Sequence, residues 1–172
     1  MKRRITSILA SVALAAGALS ACGDDEKSGA EKLDLTAKTG ERVAAGAKTG
    51  SFELAPAAPR SYAGLKGSAT MTRGKSGTVV RVELSGLNPG TRLESHVHEK
   101  PCAQAEGGAH YQFLKGGPEE PPNEIHVEGL VAGKAGTAVA SADITEIAGP
   151  LALSVVVHDA VRGGKVACAD LA

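Results

Sequence analysis

Four histidines and their spacing set the chemistry open to this chain. His96 and His98 lie in Ser95-His96-Val97-His98-Glu99-Lys100-Pro101-Cys102, and His110 follows in Gly107-Gly108-Ala109-His110. Three of the five histidines therefore fall within sixteen positions. A fourth, His158, ends an apolar run shortly before Cys168. Residues at i and i+2 of a strand point to the same face, so His96 and His98 can act together. Imidazole nitrogen suits copper and zinc. A His-X-His pair alone is weak; its concentration with further histidines beside strand ends and in one loop points to a metal site. Spacing by itself leaves copper and zinc both open.

The elements that must position these side chains read as strands. Thr78-Val79-Val80-Arg81-Val82-Glu83-Leu84 alternates and is β-branched, with Thr78, Val80, Val82 and Leu84 toward a core. Gly74-Lys75-Ser76-Gly77 before it and Gly86-Leu87-Asn88-Pro89-Gly90 after it are turns. Thr91 to His98 is the next strand and carries the first two histidines. Cys102 to Glu124 is a long loop rich in Gly, Pro and Glu; loops of this kind are functional or disordered, and His110 within it favours function. Ile125–Leu130, Thr137–Ile144, Leu151–His158 and Val166–Leu171 follow as strands, and Gly67–Arg73 and Ser51–Leu54 precede. About seven or eight short antiparallel strands with glycine turns fit an all-β fold, an immunoglobulin-like β-sandwich or a Greek-key barrel.

Composition agrees. Aromatic residues make up 2% of the chain and Trp is absent, so the core must be built from Val, Leu, Ile and Ala. Nineteen basic residues balance nineteen acidic ones, which gives no footprint for nucleic-acid binding.

The N-terminus reads as an export signal. Lys2-Arg3-Arg4 precedes an apolar, small-residue run from Ile5 to Leu19 that is short for a membrane span. Leu19-Ser20-Ala21-Cys22 resembles a bacterial lipobox, which implies cleavage before Cys22, lipidation of that residue and anchorage to the outer face of a membrane. Residues 1–21 are then a lipoprotein signal peptide, 22–50 a flexible tether and 51–172 the folded domain. Cys102 and Cys168 remain. In an exported protein disulfides persist, so the two either bridge or stay as thiols or thiolate ligands.

Gly86–Gly90, His96-Val97-His98, Cys102, Gly107-Gly108-Ala109-His110-Tyr111, Val155-Val156-Val157-His158-Asp159 and Gly164-Lys165-Val166-Ala167-Cys168 together resemble the Cu/Zn superoxide dismutase family, in the family's order. The similarity runs from about Gly67 to the C-terminus. It implies an eight-stranded Greek-key barrel and places copper on His96, His98, His110 and His158, with His110 in the place of the histidine that bridges to zinc. It matches Cys102 and Cys168 to the family's disulfide. Lys165 stands where the family has an arginine that guides superoxide, with Lys100 and Arg162 as further positive charge.

The departures are as informative. No histidine lies between His110 and His126, and Gly129 stands at the aspartate position of the zinc site. Zinc is therefore expected to be absent or its site incomplete. The connection from His158 to Cys168 lacks the family's long electrostatic loop. Both losses resemble the copper-only branch, in which an acid takes over zinc's task of holding the bridging-type histidine. Glu124 and Glu128, flanking His126, are the acids available; for His126 three roles stand open, a remnant zinc ligand, a surface residue and, as the favoured one, a group that orients His110. The implied activity is dismutation of superoxide, with His110 releasing copper on reduction and carrying one proton. The competing expectations are a lipoprotein that binds and buffers copper without turnover and a β-sandwich interaction module that has lost its metal. No nucleophile-elbow motif supports a hydrolase. Oligomeric state is not legible.

Overall fold

The computed structural model describes residues 46–172. The export signal, Cys22 and most of the expected tether lie outside them. No helix among the described residues is long and apolar enough to cross a membrane.

The described residues are almost entirely β. β1 (Gly46–Ser51), β3 (Lys66–Gly74), β4 (Gly77–Ser85) and β7 (Ala138–Ile144) form one sheet in the order β1-β3-β4-β7. β2 (Glu53–Leu54), β5 (Arg92–His98), β6 (His126–Val131), β8 (Ser154–Asp159) and β9 (Lys165–Asp170) form a second in the order β2-β9-β8-β5-β6. Every pairing is antiparallel.

β4 behaves as its alternation predicts: Thr78, Val80, Val82 and Leu84 are buried, and Val79, Arg81 and Glu83 are exposed. Its partner β3 supplies Ala69 and Met71 to the same apolar cluster. From the other sheet come Leu93, Val97, Val127, Leu130, Val155, Val157, Ala167 and Ala169. Each fully buried Val or Leu contributes roughly 1.5–3 kcal/mol. Both Phe and both Tyr join this core.

β1 corrects the expected tether boundary. Gly46–Gly50 lies inside the stretch read as flexible, yet it pairs with β3 from Gly46 opposite Arg73 to Ser51 opposite Ser68. Its side chains are mostly exposed, so backbone pairing holds it rather than burial.

The second sheet has a face turned away from that shared core, and this face carries His96, His98 and His158. Successive side chains alternate across a strand. Val155 and Val157 enter the core cluster, whereas Ser154, Val156 and His158 take the other face of β8. On β5, Val97 points inward, and His96 and His98 point outward. Val156, fully buried but outside the core cluster, is covered by the connection that follows β5. Gly107 lies on it so closely that a Cβ there would meet Val156 Cγ2 at 2.7 Å, and its φ of 91° also favours glycine.

That covering segment is fastened at several points. Cys102 and Cys168 form a bridge with Cα atoms 5.7 Å apart, tying the segment to β9. Cys102 N donates to Asp170 Oδ1 at 2.7 Å, and Ser154 Oγ donates to the Lys100 carbonyl at 2.7 Å. The bridge closes a separation of 66 residues. Replacing both cysteines by serine is expected to lower stability by roughly 4 kcal/mol, from loop-closure entropy in the unfolded chain. Urea unfolding checks this, and an unchanged midpoint would contradict it.

One support was invisible in the sequence. Arg73 is buried on β3 and donates from Nε to the Ala148 carbonyl at 2.8 Å and from Nη2 to Gly149 at 3.2 Å. The guanidinium thereby pins the connection between β7 and β8.

Candidate metal centre

Four imidazoles from three parts of the chain meet on the outward face of the second sheet. β5 brings His96 and His98, β8 brings His158, and the segment after β5 folds back so that His110 pairs with His98 in an isolated bridge. One ring nitrogen from each of His96, His98, His110 and His158 lies within 4.8 Å of all the others. The His96 ring centre is 4.3 Å from that of His110 and 4.9 Å from that of His158.

Hydrogen bonds decide which nitrogens are available. His98 Nδ1 donates to the Gly108 carbonyl at 3.0 Å, so its Nε2 keeps the lone pair. That Nε2 faces His158 Nε2 at 3.3 Å. His110 Nδ1 donates to Glu124 Oε2 at 2.6 Å, which likewise frees His110 Nε2. His96 Nδ1 is buried and has no hydrogen-bond partner among the described residues. A buried polar atom without a partner is costly, and a metal ion is what would satisfy it. The donor set therefore fits a cation that prefers imidazole.

Burial, with neighbouring charge, holds His96, His98 and His158 in the neutral form that a ligand needs. Burial pushes His96 down to about 3, helped by repulsion from the neighbouring histidines. Burial likewise takes His98 to about 3, against the opposing Gly108 hydrogen bond. Burial, then His110 and Lys165, takes His158 to about 4.

A pH dependence follows. In the unfolded chain these imidazoles take up protons as pH falls through about 6.5. The folded ones resist until pH 4 to 3. The unfolded state then binds more protons, and stability is lost between those limits as pH falls. The slope is about 1.4 kcal/mol per pH unit for each proton taken up only on unfolding. Chemical unfolding of chelator-stripped protein between pH 7 and 4 checks this; a flat profile would contradict it.

Glu124 anchors the other side of His110. It is buried, and its Oε2 accepts from His110 and also from His126 Nε2 at 3.0 Å. Its Oε1 accepts from Gln112 Nε2 at 3.0 Å. Burial alone would raise the carboxyl, but the bonds from His126, Gln112 and His110 outweigh it and hold it at about 2. His126 is thus joined to His110 through Glu124 Oε2, the oxygen that both rings bond. Its ring also lies against His96, centres 4.3 Å apart.

Of the two acids expected to hold His110, only Glu124 does so. Glu128 is exposed, two residues along β6 from His126. Lys165 sits on β9 opposite His158. Its ammonium is engaged, donating to the Ala105 carbonyl at 2.8 Å and the Gly108 carbonyl at 3.0 Å. It therefore shares with His98 the carbonyl that sets the His98 tautomer. Lys100 is exposed, with its chain against Gly108. Arg162 turns to Asp159 instead, Nη1 3.8 Å from Oδ2. The Glu99 carboxylate pairs with Lys115.

Sequence reasoning missed Gln112 and the Gly108 carbonyl. Gln112 carried one signal, its place two residues after His110 in an extended segment. The Gly108 carbonyl carried none, because any residue has one.

No family model matches the chain, and no curated protein matches it significantly. The centre brings together five imidazoles and the carboxylate that joins two of them.

Proposed function

We propose that this chain is a copper-dependent superoxide dismutase, a copper-only member of the Cu/Zn superoxide dismutase family with that family's Greek-key barrel, exported and anchored as a lipoprotein. The observation that carries the reading is the convergence of His96, His98, His110 and His158, the set the family resemblance singles out. The antiparallel sheets and the Cys102–Cys168 bridge support it.

Copper would be held by those four histidines and would supply one-electron redox chemistry, by which two superoxide anions and two protons become O₂ and H₂O₂. The chain's own residues do the rest. Glu124 fixes the proton of His110 on Nδ1, so Nε2 is the basic atom that can take a proton and pass it to a reduced product. The Gly108 carbonyl fixes His98 in the same tautomer. His110 is about one-third exposed, which gives a small anion access. Lys165 contributes positive charge beside His98 and His158, and such charge raises the encounter rate of an anion.

One observation favours a second reading, a copper-holding protein without turnover. The Lys165 ammonium is committed to two carbonyls, which leaves it less able to engage a substrate. Pulse radiolysis of the copper-loaded chain separates the two. The proposal expects catalysed decay of superoxide that slows as ionic strength rises. A rate no faster than that of a His96→Ala chain, with copper still tightly bound by the parent, selects the copper-holding protein.

A further inference from the structure

Glu124 is the residue through which the protein acts on His110, and its two oxygens are divided. Oε2 serves the two imidazoles, His110 Nδ1 at 2.6 Å and His126 Nε2 at 3.0 Å. Oε1 receives one side-chain bond among the described residues, from Gln112 Nε2 at 3.0 Å. The carboxylate is about 2% exposed, so little water competes for it.

Gln112 is itself held. Its Oε1 accepts from Gly116 N at 3.1 Å, and its backbone pairs with that of Glu124 in an isolated bridge. Only one amide orientation satisfies both side-chain bonds, because the carboxylate needs a donor and Gly116 N needs an acceptor. The side chain therefore presents a fixed N–H to the far oxygen of the acid that grips His110.

We infer that Gln112 is a positioning residue that tunes His110 through Glu124. A donor on Oε1 draws negative charge away from Oε2 and weakens the pull of Glu124 on the His110 Nδ1 proton. Loss of that donor concentrates charge on Oε2, strengthens the His110 bond and makes His110 Nε2 more electron-rich. An electron-rich imidazole favours the more highly charged state of a bound copper ion. Gln112 thus shifts the balance between Cu(II) and Cu(I) without touching the metal. The last step rests on the copper reading above; the effect on His110 does not.

Two variants remove the donor while keeping bulk, Gln112→Leu and Gln112→Met, so the test survives if one folds poorly. The first readout is the proton shift of His110 Nδ1–H by NMR in full-length protein stripped with a chelator. It is expected to move downfield in both variants. The second is affinity for Cu(II) and Cu(I), each measured by competition with a probe chelator. The Cu(II)-to-Cu(I) affinity ratio is expected to rise by up to about tenfold, the size set by one charge-assisted hydrogen bond. A merely structural role would weaken both oxidation states alike and leave the ratio unchanged. An unmoved Nδ1–H shift in a folded variant overturns the inference, whatever copper does. A moved shift in a chain whose parent binds no copper upholds the action of Gln112 on His110 and overturns the proposed function instead.

Discussion

Under the proposed function, a chain carrying His96→Ala is expected to lose superoxide dismutation altogether. Its copper affinity falls by more than the roughly 10–100-fold that follows removal of a group that only orients a ligand. His96 is the sharpest choice among the four because its Nδ1 is buried and unpartnered among the described residues. In the parent no polar group among the described residues meets that atom, and a bound ion would. The substitution removes an unsatisfied polar group from a buried position, so the stripped variant is no less stable on that account, although a packing void offsets part of the gain. Isothermal titration with Cu(II) and a thermal melt of the stripped protein check both halves. Undiminished affinity would mean that the cluster is not where copper binds.

Glu124→Ala produces the second large effect. It leaves His110 Nδ1–H and His126 Nε2–H without the acceptor they share and strands the Gln112 amide. His110 can then adopt either tautomer and rotate, so the fourth imidazole is no longer held ready. Copper affinity is expected to fall by about 10–100-fold. Acid stability should change too. The folded carboxyl sits at about 2, below its ordinary value near 4.5, so it contributes stability above that ordinary value and loses it as pH falls toward 2. Unfolding of the stripped variant should therefore be less dependent on pH than the parent's over that range. Glu128→Ala is the contrast: an exposed side chain whose loss is expected to stay within about 0.5 kcal/mol and to leave copper binding intact. Equal losses from the two variants would contradict the assignment of Glu124.

The parts of this molecule that were legible in its sequence are those written as local patterns. β4 shows its two faces by alternation, and its buried set is the one the pattern names. The apolar run Leu151–His158 reads as a strand, and β8 forms within it over Ser154–Asp159 with Val155, Val156 and Val157 all fully buried. His96 and His98 share a face because their spacing demands it.

The parts that were not legible depend on partners remote along the chain. β1 has few apolar side chains and composition suited to a tether, and only its pairing with β3 makes it a strand. Choosing between Glu124 and Glu128 needed the path of the 99–125 segment. That path buries one acid against two imidazoles and leaves the other on the surface of β6. Lys165 had a role suggested by its charge, but the carbonyls that receive its protons belong to a turn near Ala105 with φ of 50° at that residue. Such a left-handed non-glycine turn is not written in residue types.

X-ray absorption on the full-length protein loaded with one equivalent of copper tests the four-imidazole centre most directly. The expected result is one tightly held ion per chain with outer-sphere scattering from four imidazole rings, dropping to three in the His96→Ala chain. Copper that binds with fewer rings in the parent, or with the same ring count in parent and variant, would contradict it.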